Sequence, residues 1–186
     1  MRMLVLRQPR KSHDQITTLL IRKGAMMWLP REISRDQRLG LAGLFGVWRL
    51  EDAMKPKALR FIKSWSADDA YDRFGSAGIG GQEWLEDELL HHGRRAFVAV
   101  NSAGVIGLLD HVDVDDTTYV GIVVDPRYRK LSVGTTLVRA MLQSRSSRVP
   151  VIAECSSRNY AAVSLLRSCQ FKPVAVDRYE MTWRYE

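Results

Sequence analysis

The feature of the sequence that most constrains the fold is the stretch from residue 119 to residue 136. An apolar run, Val120 to Val124, ends at Asp125-Pro126, and a basic turn leads into a helical pattern that opens at Ser132-Val133-Gly134. The order predicts a strand, a turn rich in Arg and Lys, and a helix. The first backbone N–H groups of such a helix are unpaired, and they point at the turn from the positive end of the helix dipole. The stretch therefore predicts a binding site for phosphate.

Length and composition limit the class of protein. The chain has 186 residues, 46% of them hydrophobic and 26% charged, which suits one globular domain with or without an extension. No run approaches 18 uncharged apolar residues, so no membrane span is expected, and we expect no secretory signal. The two cysteines, Cys155 and Cys169, lack zinc-type spacing. They indicate reduced core thiols in a cytoplasmic protein without a metal site.

The net charge of +7 is concentrated in the first third of the chain. Residues 1–57 hold 12 Lys and Arg against 5 Asp and Glu, whereas residues 58–186 hold 16 of each. This asymmetry predicts a basic N-terminal extension over residues 1–57 and a domain over residues 58–186. We expect the extension to be helical, with one helix from His13 to Met27 and a second one capped by Ser34. Such helices could bind nucleic acid, although a solvated or self-packing extension is the favoured interpretation.

From Ala58 onward the pattern predicts a regular alternation of elements. A strand over Ala58–Ile62 is followed by a helix to Phe74, which Ser66 and Asp69 begin as a capping box. The remaining elements are a helix, a hairpin, the strand and helix of the focal stretch, a further strand and helix, and two closing strands. They cover residues 82–92, 96–109, 120–142, 149–155, 159–169, 172–176 and 178–184.

Two motifs in this series resemble those of the GNAT superfamily of acyl-CoA-dependent N-acyltransferases. Residues 124–135, VDPRYRKLSVGT, are similar to the family's pyrophosphate loop, V-x-P-x-x-Q/R-x-x-G-x-G/A. Residues 159–171, NYAAVSLLRSCQF, are similar to its N-x-x-A segment that ends in Gly-Phe. Residues 66–74, SADDAYDRF, also resemble the first helix of the branch that contains bacterial protein-lysine acetyltransferases. The resemblance covers residues 58–186.

The resemblance implies an α/β fold, with a mixed, mainly antiparallel twisted sheet flanked by helices beside the basic N-terminal extension. It implies acetyl-CoA as co-substrate and direct attack by a primary amine, with the oxyanion met by the backbone N–H near Val124. The acceptor would be a protein lysine, an N-terminus or a small amine, with protein lysine favoured, and homodimer formation stays open. The residues expected to bind acetyl-CoA are Ile122, Val123, Val124, Arg129, Lys130, Leu131, Ser132, Val133, Gly134, Thr135, Asn159 and Leu166.

Three positions depart from the family pattern. Ser132 replaces the first glycine of the loop. It either takes a glycine-like backbone, which costs about 1–3 kcal/mol, or keeps an ordinary backbone and uses its hydroxyl as a cap or phosphate ligand. Leu166 replaces a tyrosine that protonates the leaving thiolate in many members. Gln170 replaces the glycine before Phe171, where we expect only a change of turn.

The proton acceptor is the least determined part of the predicted site. An attacking amine must be neutral, and the glutamate that the family commonly places near positions 118–120 is absent. Tyr119 could order a water molecule, and Glu154, on the next strand among apolar neighbours, could act as base. Asp110 and His111 are further candidates for the wall of an amine pocket. Without a base, the alternative is a degenerate acyl-CoA-binding or scaffold domain that has lost turnover.

Overall fold

A computed structural model describes residues 19–22, 25–28, 45–74, 78–92, 94–145 and 149–186. The strands are β1 (Leu19–Arg22), β2 (Ala25–Trp28), β3 (Gly46–Arg49), β4 (Arg95–Asn101), β5 (Gly104–Val114), β6 (Thr117–Val124), β7 (Val151–Ser156), β8 (Lys172–Asp177) and β9 (Glu180–Tyr185). The helices are α1 (Lys55–Lys63), α2 (Ala67–Phe74), α3 (Gly78–His91), α4 (Val133–Ser144) and α5 (Tyr160–Ser168), with short 3₁₀ turns at Asp52–Met54 and Pro126–Tyr128. None of the described helices is both long and apolar enough to cross a bilayer.

Seven strands form one sheet in the order β3-β4-β5-β6-β7-β9-β8. Every pair is antiparallel except β6 and β7, which are parallel. Helices cover both faces. One core contains Leu137 and Met141 of α4, and the other contains Ile62 of α1 and Leu89 of α3. This architecture confirms the predicted mixed, mainly antiparallel α/β fold.

The predicted helix over His13–Met27 is wrong where the structure describes it. β1 and β2 form an antiparallel hairpin in which Leu19 lies opposite Trp28. Only two residues separate the strands, which is the commonest hairpin spacing, and the glycine at position 24 was the available signal. The second predicted helix, capped by Ser34, lies outside the described residues.

The predicted strand over Ala58–Ile62 is also wrong, because these residues belong to α1. Ala58, Phe61 and Ile62 are buried in α1, and Trp65 follows at the same helical spacing. Pro56 stands in the first turn, where its missing N–H costs nothing. The predicted boundary between residues 57 and 58 therefore cuts through α1, and β3 already belongs to the sheet before it.

The other predicted elements are present, with shifted ends. Ser66 and Asp69 form the expected capping box: the Ser66 Oγ accepts from the Asp69 N–H at 3.1 Å, and the Ser66 N–H donates to the Asp69 carboxylate at 3.3 Å. α3 begins at Gly78 instead of Gln82. Gln170 adopts a left-handed φ of 69° in the turn that ends α5, and the Phe171 N–H donates to the Leu166 carbonyl at 3.0 Å.

Candidate functional site

The sheet opens between its two parallel strands. β6 and β7 pair only from Thr118 opposite Val151 to Val120 opposite Ala153, although β6 continues to Val124 and β7 to Ser156. Beyond Val120 and Ala153 the strands have no register in common, and we call the gap between them the split. A cavity of about 600 Å³ is lined by residues from both edges of the split. The sheet therefore provides an opening between two of its central strands.

Backbone donors of β6 point into the split. The Thr118 N–H donates at 2.9 Å to Pro150, on the β7 side, whereas the Asp125 N–H donates at 3.0 Å to Ile106 of β5. Successive N–H groups of a strand alternate between its two neighbours, so those of Ile122 and Val124 face the split. The Val124 carbonyl also faces it, because it accepts from the Arg129 Nε at 3.1 Å. Two N–H groups are thus available to a ligand that replaces β7.

The loop that follows β6 adopts a left-handed backbone at two positions. The φ angles are 62° at Lys130 and 60° at Ser132. Ser132 therefore takes the glycine-like conformation, and the alternative of a hydroxyl cap is wrong, because its side chain makes no capping hydrogen bond to α4. Turns with left-handed residues direct successive N–H groups toward one point and form anion-binding concavities. The loop and the start of α4 together make such a concavity in the cavity wall.

The two helices behind the loop approach each other closely. A Cβ atom built on Gly134 would lie 3.1 Å from the Leu165 Cδ2, so α4 and α5 pack closely at this glycine. Asn159 caps α5, since its side-chain oxygen accepts from the Ala162 N–H at 3.0 Å. Both residues also line the cavity, so each combines a structural role with a place in the site.

The opposite wall of the cavity is formed by α2, which contacts both β6 and β7. Its side chains Asp69, Asp72 and Arg73 line the cavity, and we call these three residues the α2 wall. The Arg73 guanidinium lies against the backbone of Gly121, since a Cβ on Gly121 would fall 1.9 Å from the Arg73 Cζ. Gly121 is the first residue of β6 beyond the last pair with β7, so Arg73 lies where the split begins.

A buried carboxylate of β5 holds Arg73 of the α2 wall in place. Asp110 of β5 is fully buried, and both of its oxygens accept from the Arg73 Nη2 at 2.9 Å. The Arg94 Nε donates to the same carboxylate at 2.8 Å. Charge-assisted contacts of this kind are strong and directional. Arg73 is therefore held in one position at the cavity wall.

A second ion pair joins the α2 wall to the loop. The Arg129 Nη2 binds Asp69, which is also bound by the Ser66 hydroxyl at 2.7 Å. Arg129 is thus shared between Asp69 and the Val124 carbonyl. Residues 66–74 were predicted as a capped helix with a family resemblance, and none of them was predicted as a site residue. The acidic positions 69 and 72, one helical turn apart, were the available signal.

The comparisons with known proteins agree with this geometry. The family model "Acetyltransferase (GNAT) family" matches residues 50–171, about two thirds of the chain. The chain belongs to the GNAT acetyltransferase family. No curated protein sequence matches it.

Solved GNAT structures resemble the fold at low sequence identity. The GNAT domain of S. lividans PAT aligns with a TM-score of 0.62 and 14% identity, over 76% of this chain and 89% of that one. The Vibrio fischeri ribosomal-protein-S5-alanine acetyltransferase gives 0.56 and 14%, over 76% and 92%. The Vibrio cholerae spermidine N-acetyltransferase, solved with CoA and spermine, gives 0.53 and 16%, over 75% and 92%.

The GNAT cavity brings together nearly all the residues predicted to bind acetyl-CoA. Leu131 is the exception, since it packs against the core beside α4 instead of lining the cavity. Among the cavity-lining residues are Ile122, Val123, Val124, Arg129, Lys130, Ser132, Val133, Gly134, Thr135, Asn159 and Leu166. Their roles as ligands of acetyl-CoA stay predictions.

The predicted catalytic residues fare differently. Tyr119 is 41% exposed and does not line the cavity, and its role in ordering a water molecule stays a prediction. Glu154 does line the cavity, but it is exposed rather than enclosed by apolar neighbours. Leu166 is buried at 5% exposure and brings no hydroxyl. None of the three gives the site an enclosed proton donor or acceptor.

Asp110 and His111 are not part of the cavity wall that the sequence predicted for them. Asp110 lies beneath Arg73, as described above. His111 is 4% exposed on the other face of the sheet and stacks on Phe97 at 6.1 Å between ring centroids. Neither ring nitrogen has a hydrogen-bond partner among the described residues. Burial, followed by the nearby Arg95, lowers the pKa of His111 to about 4, so this histidine is neutral at pH 7.

Proposed function

We propose that this GNAT protein transfers an acetyl group from acetyl-CoA to a primary amine by direct attack. The observation that carries the proposal is the split, where the Ile122 and Val124 N–H groups face a cavity that also contains the left-handed loop before α4. Acetyl-CoA, when bound, supplies an activated thioester. These residues suit its chemistry, because an extended amide-bearing arm can pair with a strand edge and a pyrophosphate can accept from clustered N–H groups.

The chain's own residues divide this work along the cavity. The loop from Lys130 to Thr135 offers backbone donors and one lysine charge for an anionic group, and Arg129 adds a guanidinium that Asp69 already orients. The Val124 N–H faces the split and would donate to a carbonyl oxygen that gains negative charge there. Asn159 holds the start of α5 at the same cavity. Binding and orientation thus come mainly from backbone.

The acceptor belongs to the proposal as a primary amine, with protein lysine favoured over a small amine. The support is the resemblance of residues 66–74 to the protein-lysine acetyltransferase branch, and α2, which contains them, forms one cavity wall. The neighbours in structure carry names with different acceptors, spermidine in one and an alanine of ribosomal protein S5 in another. At 14–16% identity these neighbours support the fold and do not identify the acceptor. We expect residues such as those of the α2 wall to select it.

A degenerate acyl-CoA-binding domain is the second candidate. It is favoured by Leu166, which is buried where many members have a tyrosine, and by Tyr119, which lies outside the cavity. It predicts acetyl-CoA binding without release of free thiol. Calorimetric titration with acetyl-CoA and a thiol-release assay with a panel of amines separate the two candidates.

Substitution of Ser132 tests the loop. Asp and Asn both tolerate the left-handed backbone, so S132D and S132N should fold alike and differ by one charge. A carboxylate next to a pyrophosphate is repelled by about 1 kcal/mol in bulk water and by more near a protein surface. We expect S132D to weaken acetyl-CoA binding about tenfold or more relative to S132N, with a difference that shrinks at high salt.

An acetylated pantetheine without the pyrophosphate provides the control, since its turnover should not distinguish S132D from S132N. Equal affinity of both variants for acetyl-CoA would refute the assignment of the loop to pyrophosphate. A bulky residue at Gly134 is a poorer test, because it would collide with Leu165 and disturb the packing of α4 against α5.

A further inference from the structure

The proposed reaction needs a proton acceptor, which the sequence motifs do not identify. A primary alkyl amine is an ammonium ion at pH 7, since its pKa is close to 10.4, and an ammonium nitrogen has no free electron pair. A group in the cavity must therefore take a proton before the nitrogen can attack. Tyr119 lies outside the cavity, which leaves the carboxylates that line it: Asp69, Asp72 and Glu154.

The carboxylate of Asp69 already has hydrogen-bond and ion-pair partners within the protein. Its carboxylate binds the Arg129 guanidinium, the Ser66 hydroxyl and the Ser66 N–H. These three donors occupy the carboxylate oxygens, so Asp69 serves to hold α2 and the loop together. Asp72, one helical turn further along α2, has no hydrogen bond or ion pair with any other described residue. No described residue therefore competes with a ligand in the cavity for the oxygens of Asp72.

The position of Asp72 is fixed by its neighbours on both sides. Asp69, three residues earlier, is tied to Arg129 of the loop, and Arg73, the next residue, is tied to the buried Asp110. These contacts hold α2 across β6 and β7 with Arg73 at the start of the split. A side chain between two anchored residues has a defined reach into the cavity, as a proton acceptor requires. Glu154 and Asp72 are both exposed at the cavity, but Glu154 lies on β7 between the uncharged Ala153 and Cys155 and so has no ion-paired neighbour on its own strand.

The electrostatic surroundings support the same role. Partial burial raises the pKa of the Asp72 carboxyl above its ordinary value; Arg129 opposes the rise, and Asp69 and Asp68 add to it. A carboxylate with a raised pKa accepts a proton more readily near neutral pH. The charged groups around Asp72 come from α2 (Asp68, Asp69 and Arg73), from the loop (Arg129 and Lys130) and from β7 (Glu154).

We propose that the Asp72 carboxylate binds the ammonium group of the acceptor in the cavity and takes its proton, so that Asp72 is the catalytic base of the proposed transfer. This inference rests on the proposed function and extends it to the acceptor side. It also defines the acceptor as a cationic primary amine that reaches the split past α2.

The step balances as follows in atoms and charge. One proton moves from the ammonium nitrogen to an Asp72 oxygen, which leaves a neutral amine with a free electron pair. The nitrogen forms a bond to the thioester carbonyl carbon, and the carbon–sulfur bond breaks with its electron pair going to sulfur. A second nitrogen proton passes to the thiolate, and Asp72 releases its proton to solvent. The products are an amide, a thiol and one proton.

The test compares D72N with D68N in the full-length protein. Both substitutions remove one negative charge from an exposed position of α2, but only Asp72 lines the cavity. With the primary amine that the wild type acetylates fastest, we expect D72N to lower kcat/KM about 10²–10⁴-fold at pH 7. D68N should stay within about twofold of the wild type, since Asp68 does not reach the acceptor. Calorimetric acetyl-CoA affinity and Tm should be preserved in both variants.

The pH profile separates a base from a structural residue. The wild type should reach a plateau in kcat/KM once Asp72 is ionised. D72N can use only amine that is already neutral, so its kcat/KM should rise tenfold per pH unit up to the pKa of the amine. A D72N profile parallel to that of the wild type would overturn the inference.

The remaining outcomes also decide. Wild-type turnover that D72N and D68N retain equally refutes the role of Asp72 while leaving the proposed function intact. The role of Asp72 is also refuted if E154Q, and not D72N, shows the large loss of kcat/KM at pH 7 and the tenfold rise of kcat/KM per pH unit. Acetyl-CoA binding without turnover by the wild type overturns both proposals, as does the absence of any acetyl-CoA binding.

Discussion

The two walls of the cavity are built in different ways. On the side of α4, the site consists of backbone groups and small residues from one contiguous stretch, β6 with the loop that follows, and of Asn159 at the start of α5. On the side of α2, it consists of charged side chains held by partners far away in sequence. Arg73 and Asp110 are 37 residues apart, and Asp69 and Arg129 are 60 apart. A common co-substrate suits the first design and a variable acceptor suits the second.

The same contrast appears between two consecutive residues of β5. Asp110 points to the α2 face, where the guanidinium groups of Arg73 and Arg94 both pair with it. His111 points to the opposite face, where neither ring nitrogen finds a partner among the described residues. Both residues are buried polar groups. Among the described residues, only Asp110 has partners that offset the cost of removing it from water. The comparison predicts a large electrostatic effect at Asp110 and a pH-dependent one at His111.

The largest expected effect is that of D110A. Removing the carboxylate leaves Arg73 and Arg94 partly buried without their shared anion, and breaking a buried ion pair from one side costs about 3–5 kcal/mol. We expect urea unfolding at pH 7 to show a loss of that size. Amine turnover should fall as well, because Arg73 is no longer held beside Gly121.

The control for D110A is D52A. Asp52 pairs with Lys55 at 2.9 Å while its side chain is 93% exposed, and exposed pairs contribute only about 0–1 kcal/mol. If D110A cost no more than D52A, the guanidinium groups would have to be solvated, and the α2 wall would lack the rigidity that we assign to it.

The difference between the walls also explains what the sequence could predict. The loop motif and the Asn159 segment are local patterns, and the strand–turn–helix that contains the loop forms from neighbouring residues. The α2 wall depends on pairings such as Arg129 with Asp69, which no local periodicity reveals. The left-handed backbone at Ser132 was one of two open alternatives, because the sequence does not show whether packing will enforce that strain.

Errors in the predicted fold have a similar origin. Residues 58–62 read as a strand when taken as a run of five, whereas the spacing of Ala58, Phe61, Ile62 and Trp65 is helical over eight residues. The short window hid the longer period. The hairpin of β1 and β2 was missed because the window was too long. It spanned two short strands whose apolar residues, taken together, fit a helical spacing.

The next largest expected effect is a loss of stability at acidic pH caused by His111. The pKa of His111 is about 4 in the folded protein and 6.5 in its ordinary state, so between these values the unfolded chain binds a proton that the folded chain does not. Stability is therefore full above pH 6.5 and falls as the pH falls toward 4. We expect the wild type to lose about 2–3 kcal/mol between pH 7 and pH 4.5 through this residue.

The matched variant is H111F, which keeps a ring against Phe97 and loses no hydrogen bond. The quantity to compare is the slope of the unfolding free energy against pH, so a constant cost of the larger ring does not matter. H111L serves if H111F folds poorly. An equal slope in wild type and variants would show that His111 titrates normally. The lowered pKa values of Asp113 and Asp125 act only at more acidic pH.

The smallest expected effect compares one glycine from each wall. In G121A the new methyl group would lie 1.9 Å from the Arg73 Cζ, and the guanidinium cannot simply rotate away because Asp110 holds it. We expect a loss of about 1–3 kcal/mol. In G134A the methyl group meets Leu165 at 3.1 Å, a contact that a small shift relieves, and alanine adds helix propensity. Its net effect on stability should be close to zero.

The functional readouts of the two variants should be opposite. G121A displaces the α2 wall, so it should lower kcat/KM for the amine while acetyl-CoA affinity, measured by calorimetry, changes less than about twofold, below about 0.4 kcal/mol. G134A alters the wall opposite, so it should weaken acetyl-CoA binding more than it lowers the amine-dependent rate at saturating acetyl-CoA. If both variants changed both quantities in parallel, the cavity would behave as one cooperative unit. The ion pair of Arg129 with Asp69, which joins the walls, would then be the physical link.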